Sequence, residues 1–314
     1  MPTHFVVYLL SFIVIWFGAD LIIKSTDKIA KKLKLSSFAI SFFLLGILTS
    51  IPEMAVGINS LIIKQPEIFV GTLLGGSIVI FILVIPLLAI LGNGIRLSHD
   101  LNQKNLLVSL LVIAAPSLVI LDHRVTNQEG VFLVMCYLIG FYFIQRKHGI
   151  LDQKKTKAFT IKAYSYLDLI KVIAGILMVC FSSQHIVGQT ILYSQVLDMP
   201  VYYISLVILA LGANLPELSL AVESVIIKKK DIALGDYLGS ASANTLLFGI
   251  FTLVNNGEVL TVNNFLITAI FLNTGLAFFF HFSKSKKDIS RKEGMILLCI
   301  YLSFIVFQLF QSQK

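Results

Sequence analysis

The chain is 314 residues long, 57% apolar and only 13% charged, with a mean hydropathy of +0.88. A soluble domain of this size needs a far more polar surface, so the composition excludes one and identifies a polytopic membrane protein. The formal charge of +8 does not signal a nucleic-acid partner, because the basic residues fall in short loops between apolar runs.

Ten apolar runs are predicted to span the bilayer, each near or above the roughly 20 residues a helix needs to cross it. The first, 4–24, has no basic leader and no small-residue cleavage site, and reads as a retained span rather than a removed signal peptide. The second, 36–63, carries Leu48-Thr49-Ser50-Ile51-Pro52-Glu53, and the third, 67–92, carries Gly71-Thr72-Leu73-Leu74-Gly75-Gly76-Ser77. Spans 103–121 and 129–145 follow, then a lysine-rich connector at 146–164. Span 165–188 opens with Asp168 and Lys171, three residues apart and able to pair. Span 200–227 carries Gly212-Ala213-Asn214-Leu215-Pro216-Glu217, and span 231–254 carries Gly235-Asp236-Tyr237-Leu238-Gly239-Ser240-Ala241 and Asn244. Spans 260–281 and 294–311 complete the series, with little room left for a soluble domain. Cys136, Cys180 and Cys299 lie within spans at no metal-ligand spacing and are expected to be buried packing residues.

With ten spans, the loops after the odd-numbered ones share one side of the membrane and hold 21 lysines and arginines, counting Lys24 and Lys104 at the adjoining span ends. The opposite side holds three, Lys64, Arg124 and Lys314, and Lys171 lies inside a span. The positive-inside rule puts the lysine-rich loops in the cytoplasm and both termini outside.

The Pro-Glu and glycine-rich segments recur at a constant offset of 164 residues. Ser41, Pro52, Glu53, Ser60 and Lys64 match Ser205, Pro216, Glu217, Ser224 and Lys228, while Gly71, Leu74 and Gly75 match Gly235, Leu238 and Gly239. Five spans per half is an odd number, so the second half enters the membrane upside down relative to the first. The expected fold is an all-α polytopic membrane protein of ten transmembrane helices in two inverted five-helix repeats. Residues 1–145 form the first repeat, 146–164 a cytoplasmic linker and 165–314 the second repeat. In secondary transporters of this architecture the ligand site lies near the midplane, at the repeat interface.

Pro52 has no N–H to give the carbonyl of Leu48, and Pro216 none to give that of Gly212. Freed carbonyls at membrane depth are tolerated where they line a cavity or meet a ligand. A carboxylate adjoins each proline, Glu53 and Glu217, and an ionisable group inside a span is a functional-site hypothesis by default. Thr49, four residues before Glu53, is expected on the same helix face. Carboxylates, hydroxyls and carbonyls are hard oxygen ligands that suit Ca²⁺ or Na⁺, and the absence of His or Cys among them argues against Zn²⁺ or copper. Gly71 with Gly75, and Gly235 with Gly239, form small stripes at i and i+4 where another helix can approach closely. Asp236 is a third acidic candidate, read as a helix-N-terminal carboxylate, and Glu223 is read as interfacial.

The Pro-Glu segment followed by a Gly-x-x-x-Gly segment, once per half, resembles the α-repeats of the Ca²⁺/cation antiporter superfamily, and most nearly its prokaryotic sodium/calcium exchangers. That resemblance covers almost the whole chain. It implies an alternating-access antiporter in a prokaryotic plasma membrane, with Ca²⁺ and Na⁺ as cargo, no resident cofactor and outer helices that slide to open the site. It also implies Glu53 and Glu217 as shared central ligands, surrounded by Thr49, Ser50, Ser240 and Asn244, with Asn214 in the place equivalent to Ser50. The carbonyls of Leu48 and Gly212 complete the candidate set.

The chain departs from the family pattern at Gly76, Ile80 and Ala213, none of which offers a side-chain oxygen, so a peripheral Na⁺ site is expected to be weakened. Serine at 76 and threonine at 213 are accordingly expected to strengthen Na⁺ dependence. Two carboxylates balance one Ca²⁺ or two Na⁺, and protons can also neutralise such a site, so Ca²⁺/H⁺ exchange is the competing reading. An intramembrane enzyme using the glutamates as an acid/base pair, or a cation channel with an acidic constriction, are the readings from other classes. The chain has no phosphate-binding glycine loop, histidine cluster or Ser-His arrangement to support an enzyme.

Overall fold

Apolar composition becomes helix almost everywhere. The computed structural model describes residues 2–30, 46–96, 103–148, 166–226, 231–255, 258–260, 265–286 and 288–311. In chain order the helices are α1 (Pro2–Ala30), α2 (Gly46–Thr49), α3 (Ile51–Ile62), α4 (Pro66–Leu91), α5 (Gln103–Val119) and α6 (Asn127–His148), then α7 (Tyr166–Leu197), α8 (Val201–Ala213), α9 (Leu215–Ile226), α10 (Asp231–Val254), α11 (Phe265–Lys286) and α12 (Arg291–Gln311). Seven stretches among the described residues are long and apolar enough to cross a membrane, those of α1, α4, α5, α7, α10, α11 and α12. Residues 31–45, most of the connector at 149–165, and Lys228 to Lys230 lie outside the described residues.

α4 and α10 are the most deeply buried of the long helices, while α7 and α12 keep most of their surface outside the protein. The main apolar core gathers around α4, α8, α10 and α11, with Phe69, Phe81, Tyr202, Phe248 and Phe279 fully buried. A second apolar cluster, including Tyr8, Phe12, Ile15, Val179 and Ile186, joins the α1–α7 pair to α3 and α8. Among the described residues α1 and α7 make an extensive helix contact, crossing where Gly18 and Gly175 face one another. The expectation of buried cysteines is corrected in part: Cys180 and Cys299 are exposed and Cys136 is half-buried. They sit on the outward faces of peripheral apolar helices, where a small soft side chain suits lipid as well as it suits a core.

Prolines shape two of the long helices. Pro86 has no N–H and its ring crowds the carbonyl four residues earlier. Just upstream α4 widens into a π turn over Val79–Val84, with the Ile85 N–H donating to the Ile80 carbonyl. In α5, Pro116 leaves the Val112 carbonyl without its helical donor. The Thr245 hydroxyl of α10 donates to that carbonyl at 2.9 Å and so ties α5 to the central helix at its proline.

Two short antiparallel bridges tie loop ends together. β1 (Ile95–Arg96) pairs with β4 (Asp288–Ile289), placing Ile95 opposite Ile289. β2 (Arg124–Thr126) pairs with β3 (Glu258–Leu260), placing Val125 opposite Val259. Adding 164 to 95 and 125 gives 259 and 289, so each bridge is the image of the other. β3 also delays α11, which begins at Phe265 rather than at 260 as expected. The same offset relates two capping boxes. Glu129 Oε2 accepts from the Thr126 N–H at 2.8 Å and hydroxyl at 2.9 Å. Glu293 Oε2 accepts from the Ser290 N–H and hydroxyl, both at 2.7 Å.

The glycine stripes bring backbones into contact. Gly71 lies against Tyr202 and Ser205, and Gly75 against Leu206 and Ala210 of α8. Gly239 of α10 meets Gly46 of α2, and the pairs Gly75–Ala210 and Gly239–Gly46 are again 164 apart.

Thr245→Val is expected to leave the Val112 carbonyl unpaired and cost about 1–3 kcal/mol, read as a lower unfolding temperature in detergent. Gly75→Ala would drive a methyl into the Leu206 carbonyl, and the same measurement should show a loss of about 1–3 kcal/mol from overpacking.

Candidate cation site between the broken helices

Each Pro-Glu segment sits where a helix stops and restarts. α2 ends at Thr49 and α3 begins at Ile51, with Ser50 between them at φ −80°, ψ 9°. α8 ends at Ala213 and α9 begins at Leu215, with Asn214 at φ −92°, ψ 19°. The proline after each break fits the first turn of the new helix, where its missing N–H costs nothing. The bonds across the two breaks also correspond: Met54 N–H donates to Ser50 O at 2.9 Å, and Leu218 N–H to Asn214 O at 3.1 Å.

The breaks point the two carboxylates inward. Glu53 is 1% exposed and Glu217 0%, and they are close enough to interact electrostatically. Ser240 of α10 donates to Glu217 Oε1 at 2.8 Å, and its hydroxyl lies 3.4 Å from that of Ser50. Tyr237 donates to the Glu217 carbonyl at 3.3 Å. Thr49 neighbours Glu217 and also donates to Gly46 O at 3.3 Å. This corrects the expectation that Thr49 shares a helix face with Glu53. The i, i+4 rule assumes an unbroken helix, and Ser50 interrupts this one, so Thr49 serves the glutamate of the other half.

Asn214 and Asn244 are buried beside Gly76. Asn214 Nδ2 donates to Ala210 O at 2.8 Å and Asn244 Nδ2 to Leu73 O at 3.4 Å. The structure therefore gathers Glu53, Glu217, Ser50, Thr49, Ser240, Asn214 and Asn244 around the two breaks. Leu48 and Gly212 lie in the last turns of α2 and α8, and the Phe12 ring of α1 covers Gly212. The buried Ile80 and Ala213 bring apolar side chains to the positions equivalent to Asn244 and Thr49. The side chains of Asp168, Glu223 and Asp236 lie outside the described residues. Sequence reasoning missed Tyr237 and Gly46, whose parts depend on contacts between distant segments.

The chemistry left over is one-sided. Glu53 Oε1 and Oε2, Glu217 Oε2, Asn214 Oδ1 and Asn244 Oδ1 are buried acceptors without a hydrogen-bond partner. Every lysine, arginine and histidine whose side chain is described is exposed, so no described basic side chain is buried with the two carboxylates. A buried carboxylate with no opposite charge is expensive, and a cation bound between several oxygens removes that cost. Each break also brings together the C-terminal end of one helix and the N-terminal end of the next, with Glu53 and Glu217 in the first turns of α3 and α9.

Comparison with known proteins agrees with this chemistry. The family model described as sodium/calcium exchanger protein matches residues 3–145 and 168–310. The chain is 22% identical to the inner membrane protein YrbG of Escherichia coli, over 77% of each protein. It is 23% identical to the sodium/calcium exchanger MaX1 of Methanosarcina acetivorans, over 98% of each. A solved structure of the sodium-calcium exchanger NCX_Mj, soaked with Na⁺ and Sr²⁺, superposes with a TM-score of 0.69 at 24% identity, covering 98% of this chain and 99% of that one. With the family model matching nearly the full length in two blocks, the chain belongs to the sodium/calcium exchanger family of integral membrane proteins.

Proposed function

We propose that the protein is a secondary antiporter that exchanges Ca²⁺ for Na⁺ by alternating access, with Glu53 and Glu217 as the central cation ligands. The observation that carries this reading is the pair of buried carboxylates, three of whose four oxygens have no partner and near which no described basic side chain is buried. Thr49, Ser50, Ser240, Asn214 and Asn244 supply further oxygens, and the carbonyls of Leu48 and Gly212, deprived of donors by Pro52 and Pro216, line the same breaks. Two negative charges match one Ca²⁺ or two Na⁺, which makes the two loads mutually exclusive at the shared carboxylates. That exclusion is what antiport requires. The names of relatives such as MaX1 point the same way.

The same reading places ten spans in two inverted five-helix repeats, with the lysine-rich loops and the linker at 146–164 in the cytoplasm. It rests on the 164-residue offset, which relates the two β bridges, the two capping boxes, the two helix breaks and the two glycine contacts. The five-span halves and the charge bias of the loops give both termini an external location.

Purified protein in liposomes, with Na⁺ and pH gradients imposed separately, is expected to take up Ca²⁺ when the Na⁺ gradient runs outward. Uptake driven by the pH gradient alone would replace Na⁺ with H⁺ as the co-ion, and uptake under neither gradient would end the antiport reading. Glu53→Gln and Glu217→Gln should each abolish coupled Ca²⁺ flux, by at least about 100-fold given the loss of a charged ligand worth roughly 3 kcal/mol or more. Near-normal flux in either folded variant would remove that glutamate from the site.

A further inference from the structure

The two sides of the site are unequal, and the inequality centres on one exchanged pair. Ser50 and Asn214 are equivalent under the 164-residue offset, and so are Gly76 and Ser240. On one side, the Ser50 and Ser240 hydroxyls lie 3.4 Å apart. On the other, Asn214 stands against Gly76. A Cβ built on Gly76 would lie 3.0 Å from Asn214 Nδ2 and 2.9 Å from Asn244 Nδ2. Two medium side chains have become one large side chain and none.

The hydrogen bonds show what the larger side chain adds. Ser50 Oγ donates to Gly46 O at 2.8 Å, and Asn214 Nδ2 donates to Ala210 O at 2.8 Å. Gly46 and Ala210 are themselves equivalent, so the amide nitrogen reproduces the serine's bond. The amide also carries a second group that serine lacks, its Oδ1, which is buried without a partner. Asn244 repeats the arrangement, with Nδ2 held by Leu73 O and Oδ1 unpartnered. An amide whose nitrogen is anchored presents its oxygen only as an acceptor. Both oxygens belong to side chains at most 2% exposed.

We propose that Gly76 and Asn214 act as a size-exchanged pair that sets the monovalent-cation preference of the site. The absent side chain at 76 makes the room in which Asn214 and Asn244 are held with their amide oxygens available to a cation. The inference deepens the antiport reading and rests on it. Amide oxygens are neutral, hard ligands that add coordination without adding charge to the two carboxylates, so they serve a monovalent ion without raising the electrostatic pull on a divalent one. The geometry also reverses the expectation that serine at 76 restores an oxygen. A side chain there would crowd both amide nitrogens, adding one hydroxyl while shifting two oxygens.

The test compares wild type, Gly76→Ser, Asn214→Ser and the double variant in liposomes, measuring Na⁺-driven Ca²⁺ uptake against Na⁺ and Ca²⁺ concentration. Each single substitution is expected to raise the half-saturating Na⁺ concentration about tenfold, equivalent to roughly 1.4 kcal/mol, with half-saturating Ca²⁺ moving far less. The double variant, which recreates the Ser50–Ser240 arrangement on the opposite side but keeps the contact with Asn244, should lose clearly less than the two single losses combined. Unchanged Na⁺ dependence in the singles, additive losses in the double, or equal losses for Na⁺ and Ca²⁺ would overturn the proposal. Asn214→Ser only removes volume, so it reports even if Gly76→Ser fails to fold. If wild type shows no Na⁺-driven uptake, the antiport reading falls. The pair is then judged by the Na⁺-induced rise in unfolding temperature in the four proteins. Additive effects, or no rise in wild type, overturn it.

Discussion

Two carboxylates are buried at the centre of an apolar molecule, with no described basic side chain buried alongside them. Much else follows from that constraint. The helices that carry Glu53 and Glu217 are broken at Ser50 and Asn214, and each break brings backbone carbonyls and the ends of two helices near the acidic group. The breaks fall beside prolines, which withhold the donors that would otherwise occupy those carbonyls. Around the breaks the packing is tight. Gly75 and Gly239 let α8 and α2 touch the backbones of α4 and α10, the two helices most enclosed by protein. A site of this kind is costly when empty of positive charge, because a buried carboxylate without an opposite charge bears its full desolvation cost.

Much of this was legible in the sequence. Proline and glutamate in adjacent positions inside an apolar run, repeated at a fixed offset, marked both breaks and both carboxylates, and the glycine spacing marked the close approaches. These are local signals with direct physical meaning. What escaped was the consequence of contacts between halves. Thr49 looked like a companion of Glu53 by helical periodicity, yet Ser50 ends that helix and Thr49 turns to Glu217. Gly76 looked like a missing ligand, yet it is the space that Asn214, 138 residues away, occupies. The Thr245 bond to Val112 repairs a proline kink in another helix. Two- and three-residue strands such as β1 and β4 lack the length to show any alternation, so their pairing could only emerge from the fold.

The internal correspondence is closer in geometry than in sequence. Bridges, capping boxes and helix breaks keep their partners at the 164-residue offset even where residue types have changed, as Thr126 and Glu129 answer to Ser290 and Glu293. Side chains lining the site have drifted further. The scaffold is held by many mutually dependent contacts, and the described residues form a near-symmetric frame with an asymmetric lining.

The seam between the α1–α7 pair and the rest of the molecule has a mechanical consequence. The β bridges stitch loop ends within the core at Ile95–Ile289 and Val125–Val259, whereas the α1–α7 pair meets that core through a largely apolar cluster, with Asn59 reaching Ser183 at 2.8 Å as a polar contact. Hydrophobic contact is non-directional, so the α1–α7 pair is held to the core by buried area, with Phe12 of α1 seated over Gly212. The described frame is fastened by directed bonds, and its flank chiefly by the exclusion of solvent.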